Sequence, residues 1–171
     1  KKLRTPDHGA DNSGAVESTK QLLEVKATNP LTAAPPLAVS IEGRAENGVT
    51  PSDNNLAVGT TRVIQTVNLS LAIYSKSGAL LQTVPFTTWL GNTMGISDPN
   101  IKWDQGSNRF VLTLITANSA FTQGYVWVIA SKTATPTTNK SDWIFFHLPA
   151  SEINPSTEAL DYPKIGYDST N

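Results

Sequence analysis

Three aspartates open three copies of one short phrase, and they are the residues of this chain best placed to do chemistry. The first copy is Asp53-Asn54-Asn55-Leu56-Ala57-Val58-Gly59 and the second is Asp98-Pro99-Asn100-Ile101-Lys102-Trp103-Asp104. The third, with one residue inserted, is Asp161-Tyr162-Pro163-Lys164-Ile165-Gly166-Tyr167-Asp168. If each phrase opens an equivalent strand, Asp53, Asp98 and Asp161 stand at similar heights at one end of neighbouring strands. A ring of carboxylates could hold a hard cation such as Ca²⁺ or meet the hydroxyls of a sugar. Each aspartate could equally accept hydrogen bonds from the backbone N–H groups of the turn that follows it. The sequence has no Asp-x-Asp-x-Asp-Gly calcium loop to favour the first reading. Lys102 and Lys164 lie inside the second and third phrases and would neighbour any ligand held there.

Other reactive groups are few. The histidines are His8 and His147, the latter at the end of an aromatic run beside Leu148 and Pro149. There is no Gly-x-Ser-x-Gly elbow, paired-histidine metal motif or phosphate loop. The four arginines are Arg4, Arg44, Arg62 and Arg109, a thin supply for a site that clamps a substrate carboxylate. Asp104, ahead of Gln105-Gly106-Ser107-Asn108 and Arg109, reads as a turn aspartate. Trp103, Trp127 and Trp143 sit in strand-like patterns and read as packing residues. Trp89 follows Thr87-Thr88 and precedes Gly91-Asn92, so it is the expected exposed ring and a possible sugar platform. Asn68-Leu69-Ser70 and Asn139-Lys140-Ser141 fit the glycosylation sequon.

The elements that must position these residues are strands. Of 171 residues, 16 % are charged and 21 are Thr, and β-branched and aromatic side chains fit a pleated, half-buried surface. Strands are expected at 56–60, 62–68, 69–75 and 79–86, with a turn at Lys76-Ser77-Gly78. A second set is expected at 100–104, 109–116, 124–131 and 142–148, with loops at 105–108 and 133–141. The third phrase would begin another strand at 164–167. The leading aspartates are 45 and 63 residues apart. Repeats of that length built from four short strands point to antiparallel β-propeller blades with the phrase on the innermost strand. Residues 1–50, broken by prolines and glycines, read as an extended leader, with one short amphipathic patch at 16–26. The expected organisation is a leader over 1–50, then two blades and the start of a third over 51–171: an all-β, incomplete propeller.

A net charge of −1 gives no footprint for nucleic acid or an anionic membrane. The chain has no cysteine, which excludes disulfides and thiolate metal sites. No apolar run is long enough to span a membrane.

The opening Pro51-Ser52-Asp53-Asn54-Asn55-Leu56-Ala57-Val58-Gly59, with Val63-Ile64-Gln65-Thr66-Val67-Asn68 and Ala72-Ile73-Tyr74-Ser75-Lys76-Ser77-Gly78, resembles that of secreted bacterial propeller-like proteins of a sialidase-like family. Asp98-Pro99-Asn100-Ile101-Lys102-Trp103-Asp104 with Arg109-Phe110-Val111-Leu112, and later Asp161-Tyr162-Pro163-Lys164-Ile165-Gly166, resemble further elements of the same family in the same order. The resemblance implies a secreted or cell-surface location and a chain holding about the first third of a propeller. No catalytic residue carries over. The expectation is an extracellular module for binding or assembly with no catalysis on this chain. The alternative is the N-terminal part of a glycan-active hydrolase or lyase whose site is completed by further blades. No cofactor beyond Ca²⁺ is expected. The expected partners are the remaining blades, from the same polypeptide or another chain, and a carbohydrate or a surface protein as ligand.

Overall fold

The computed structural model describes residues 39–45, 48–155 and 160–166. Expectations that fall on His8, the 16–26 patch, Tyr167 and Asp168 lie outside them. The described chain is mostly β, in two four-stranded antiparallel sheets. The first runs in simple order through β1 (Asn55–Val58), β2 (Arg62–Val67), β3 (Ser70–Ser75) and β4 (Leu80–Pro85). The second runs through β5 (Gly95–Asp104), β6 (Arg109–Ala117), β7 (Gly124–Ser131) and β8 (Trp143–Pro149). Short helices α1 (Phe86–Leu90) and α2 (Ala150–Ile153) follow β4 and β8, and one 3₁₀ turn (Lys140–Asp142) precedes β8. Among the described residues, no helix is long and apolar enough to cross a membrane.

Side chains alternate across a strand, so each sheet has two distinct faces. Ala57, Ile64, Leu71 and Ile73 face inward from the first sheet. Ile101, Phe110, Leu112, Leu114, Ile129 and Trp143 face them from the second, and the two sets form one buried cluster. Gly59 lets the sheets close: a Cβ there would lie 2.6 Å from Phe110 and 2.9 Å from Trp103. The far face of the first sheet carries Gln65, a buried hub. Its Oε1 accepts the Arg44 N–H (2.7 Å) and the Tyr74 hydroxyl (3.3 Å), and its Nε2 donates to Asn54 Oδ1 (2.8 Å). Burial of Tyr74 pushes its phenol above the ordinary value against the lowering pull of Arg44.

Three details differ from the sequence reading. The strand carrying the second phrase starts at Gly95 rather than Asn100, because a register shift between Ser97 and Asn100 accommodates Pro99. A proline without an N–H is tolerated in an edge strand at a bulge. Phe86 leaves the fourth strand to begin α1. Residues 160–166 form no strand, so the expected 164–167 strand is absent over its described part. Along β8, Phe145 packs against the shared core, whereas Phe146 points outward and is exposed.

Gly59→Ala should destabilise the domain by about 1–3 kcal/mol, because two aromatic rings must move to admit the methyl group. Urea unfolding measures this. A change under about 0.5 kcal/mol, the ordinary surface range, would mean that the sheets do not close against Gly59.

Candidate functional site: the joint between the sheets

The phrase folds in the same way twice. Asp53 (φ 42°) and Asp98 (φ 56°) both take the left-handed backbone conformation, which aspartate tolerates better than most residues. In the third copy the left-handed residue is Tyr162 (φ 46°), one place after Asp161. The inserted residue therefore displaces Asp161 from the position held by Asp53 and Asp98. Asp161 is exposed, whereas Asp53 and Asp98 are half-buried. Among the described residues no three His, Asp or Glu side chains gather as a metal site, so the three aspartates form no common carboxylate cluster.

The phrases touch one another through hydrogen bonds instead. Asn55 Oδ1, on the first sheet, accepts the Ile101 N–H of the second at 2.9 Å. The Asp98 N–H donates to Asn68 Oδ1 at 3.4 Å. Asn68 is buried in the β2–β3 turn; its side chain also donates to the Pro51 carbonyl, and its backbone N–H to the Ser52 carbonyl. Asp98 Oδ2 in turn accepts the Tyr162 N–H at 3.1 Å. Each phrase is thus tied to its neighbour by an Asn or Asp side chain reaching a backbone N–H. Asn68 is the residue that sequence reading misses. In the sequence it is only a sequon, and its buried, occupied amide rules out modification in the fold. Lys102 is exposed on the outer face of β5, and Lys164 stands over the Tyr162 ring, 4.9 Å from its centre.

Trp89 is not the exposed ring that its sequence setting suggests. It is 2 % exposed, because 86–90 is not a loop but a helical turn. Phe86 and Trp89, three apart, share the buried face. Gly91 (φ 68°) ends the turn, its N–H and that of Asn92 reaching the Thr87 carbonyl. The Trp89 ring meets Trp143 at 5.1 Å and Phe145 at 5.0 Å, both edge-on, and its Nε1 donates to the Thr138 carbonyl at 2.9 Å. The pattern Phe-x-x-Trp-Leu-Gly-Asn was legible as a capped turn. His147 is exposed and rests against Trp127 and Tyr125.

A cleft of about 620 Å³ opens beside the second and third phrases, lined by Met94, Ile96, Ser97, Ile115, Phe121 and Leu160 among others. At its rim Phe121 is 68 % exposed and left-handed (φ 54°). The loop that presents it is braced from within. Asn118 Oδ1 accepts the Thr122 and Gln123 N–H groups (2.9 and 3.2 Å), and the Asn118 carbonyl accepts the Phe121 N–H (2.9 Å).

Two carboxyls have pKa values held below the ordinary range, and both serve turns. Asp142 accepts the Thr137 hydroxyl (2.6 Å) and then the Thr137 N–H (2.8 Å). Asp104 accepts the Ser107 hydroxyl first, with the Gly106 N–H at 2.9 Å and the Arg109 charge adding to the effect. Unfolded, these carboxyls titrate near 3.8. Their folded values lie lower, so their stabilisation is complete above that range and drains away as pH falls through it. Urea midpoints measured from about pH 6 down past the carboxyl range should therefore fall. The Asp104→Ala/Asp142→Ala double variant should fall less steeply, and equal slopes would show that these turns do not couple to folding.

No family model matches the chain, and neither a curated protein nor a solved structure does, so the likeness to sialidase-like propellers rests on the quoted residues alone.

Proposed function

We propose that this chain is a propeller-type extracellular module for binding or assembly rather than a catalyst, with its ligand face at the phrase end of the sheets. The observation that carries the reading is Phe121. Its ring is held out in solvent by a braced loop, at the mouth of the cleft beside Ser97 and Leu160. Rings presented on rigid supports make good contact anchors because little side-chain freedom is lost on binding. A carbohydrate or a surface protein is the ligand class this mixture of ring, Ser and Thr edges would take. Two further observations support the non-catalytic side. The two acid-shifted carboxylates are committed to turns, and His147 leans on aromatic rings rather than on a carboxylate. The propeller reading draws on two like sheets stacked face to face and joined by matching phrases. Secretion is carried by the family resemblance.

A glycan array, run beside a panel of fluorogenic glycosides and uronides, tests the proposal. The expected result is retention on particular glycans that Phe121→Ala weakens by about tenfold or more, the scale of a lost aromatic anchor, with no product released. Release of a reducing end or an unsaturated sugar would overturn it in favour of a hydrolase or lyase. Binding unaffected by Phe121→Ala would move the ligand face elsewhere.

A further inference from the structure

We infer that the outer face of the second sheet seats a third four-stranded antiparallel sheet whose opening strand is this chain's own third phrase, and that Asn100 is the acceptor that fixes its register. The inference rests on the propeller reading above and names the partner of one surface.

The cross-strand registers of the two sheets align row for row. Asn55–Thr66–Leu71–Val84 in the first sheet corresponds to Asn100–Thr113–Val128–Phe146 in the second. In the first sheet this row faces the second sheet, and Leu71 is 0 % exposed. In the second sheet the same row faces outward, and Val128 and Phe146 are 37 % and 56 % exposed. Ile144, in the adjacent row of that face, is exposed as well. The β7–β8 side of this face is thus apolar and exposed, while Asn100 and Thr113 at its β5–β6 side are buried.

The polar groups of the row say what fits it. Asn55 Oδ1 takes the Ile101 N–H of the next phrase. Asn100 occupies the same place one sheet on and is buried, yet among the described residues no group donates to its Oδ1. A buried carbonyl oxygen without a donor is costly, and the matching donor is known by position: Ile165 follows Tyr162 as Ile101 follows Asp98. The neighbouring tie already exists, since the Tyr162 N–H is on Asp98 Oδ2. The third phrase is therefore seated at its turning residue but has not closed onto Asn100.

The connecting segments agree. Pro85 opens α1 and Pro149 opens α2. Thirteen positions lead from Pro85 to the left-handed Asp98, and thirteen lead from Pro149 to the left-handed Tyr162. Trp89 of α1 is sealed by Trp143 and Phe145 of the sheet that follows. Its counterpart four residues after Pro149 is Ile153, which is exposed. The segment that delivers a new sheet has been built twice, and the second delivery meets an open face. A second copy of this chain could offer its first phrase, but the Asp98 carboxylate is already held by the third phrase through the Tyr162 N–H.

The chain contains no cysteine, so one introduced thiol reports on the face cleanly. Phe146→Cys would be made in the complete natural polypeptide, with Thr135→Cys in an exposed loop as the control, and maleimide labelling rates compared. The expected result is labelling at 146 at least about 100-fold slower than at 135, as for a site that opens only by local unfolding. Adding Asn100→Ala should speed labelling at 146 by up to about tenfold, the scale of one buried hydrogen bond. Asn100→Asp, which keeps an acceptor, should speed it less. Equal rates at 146 and 135 would overturn the inference. So would protection at 146 that rises with protein concentration alongside a dimer in sedimentation, which would assign the face to a second copy. Glycan binding is read separately, so failure here leaves the test of Phe121 standing, and the reverse holds too.

Discussion

The contact between the inner faces of the two sheets is the interaction on which the rest depends. Neither sheet could stand alone, since a four-stranded antiparallel sheet buries its apolar side only against another layer. Ile64 and Ile73 from one side and Phe110, Leu112 and Ile129 from the other supply that layer. Trp89 closes it: its ring meets the second sheet, and its indole N–H reaches the Thr138 carbonyl. The loop bearing Thr138 is fixed in turn, because the Thr138 N–H donates to Gln82 of the first sheet and the Thr137 carbonyl accepts the Trp143 indole N–H. Apolar contact supplies the driving force, and these few polar bonds choose one alignment of the sheets.

The phrase serves that alignment. A left-handed aspartate precedes β1 and sits at the bulge of β5, Asp53 and Asp98 respectively. In the first phrase, the Asn two residues later reaches across to the next sheet, and Asn68 brackets the turn from the side. Short Asn and Asp side chains suit such joints, because they tolerate the left-handed conformation and accept backbone N–H groups at close range. In this fold the repeated phrases meet through these hydrogen bonds, which hold the two sheets in register. Phe121 and the cleft lie at the same end.

Strand positions were the most legible part of the molecule. Tyr125 to Ala130 and Phe110 to Ile115 are rich in β-branched and aromatic residues, and the Lys76-Ser77-Gly78 turn announces itself by its glycine. The start of β5 was hidden by Pro99, which reads as a break unless the bulge that houses it is known. The buried role of Trp89 was hidden because burial depends on a second sheet about 50 residues further along the chain. The offset of the third phrase was hidden as well: only the backbone conformation separates Tyr162 from Asp161 as its turning residue.

By itself, the sequence determined that this chain would form short antiparallel strands in two sets, each carrying the same phrase on its first strand, with Asp104 in a turn. Local pattern suffices for that, because alternation, β-propensity and turn chemistry act within a few residues. The tertiary structure alone decided which face of each strand is covered. Phe145 and Phe146 are neighbours of equal hydrophobicity, yet one packs on the core and the other is in the open. The pleat sends them to opposite sides, and the first sheet lies on one side only. Burial is a property of the layer that arrives, not of the residue that waits for it.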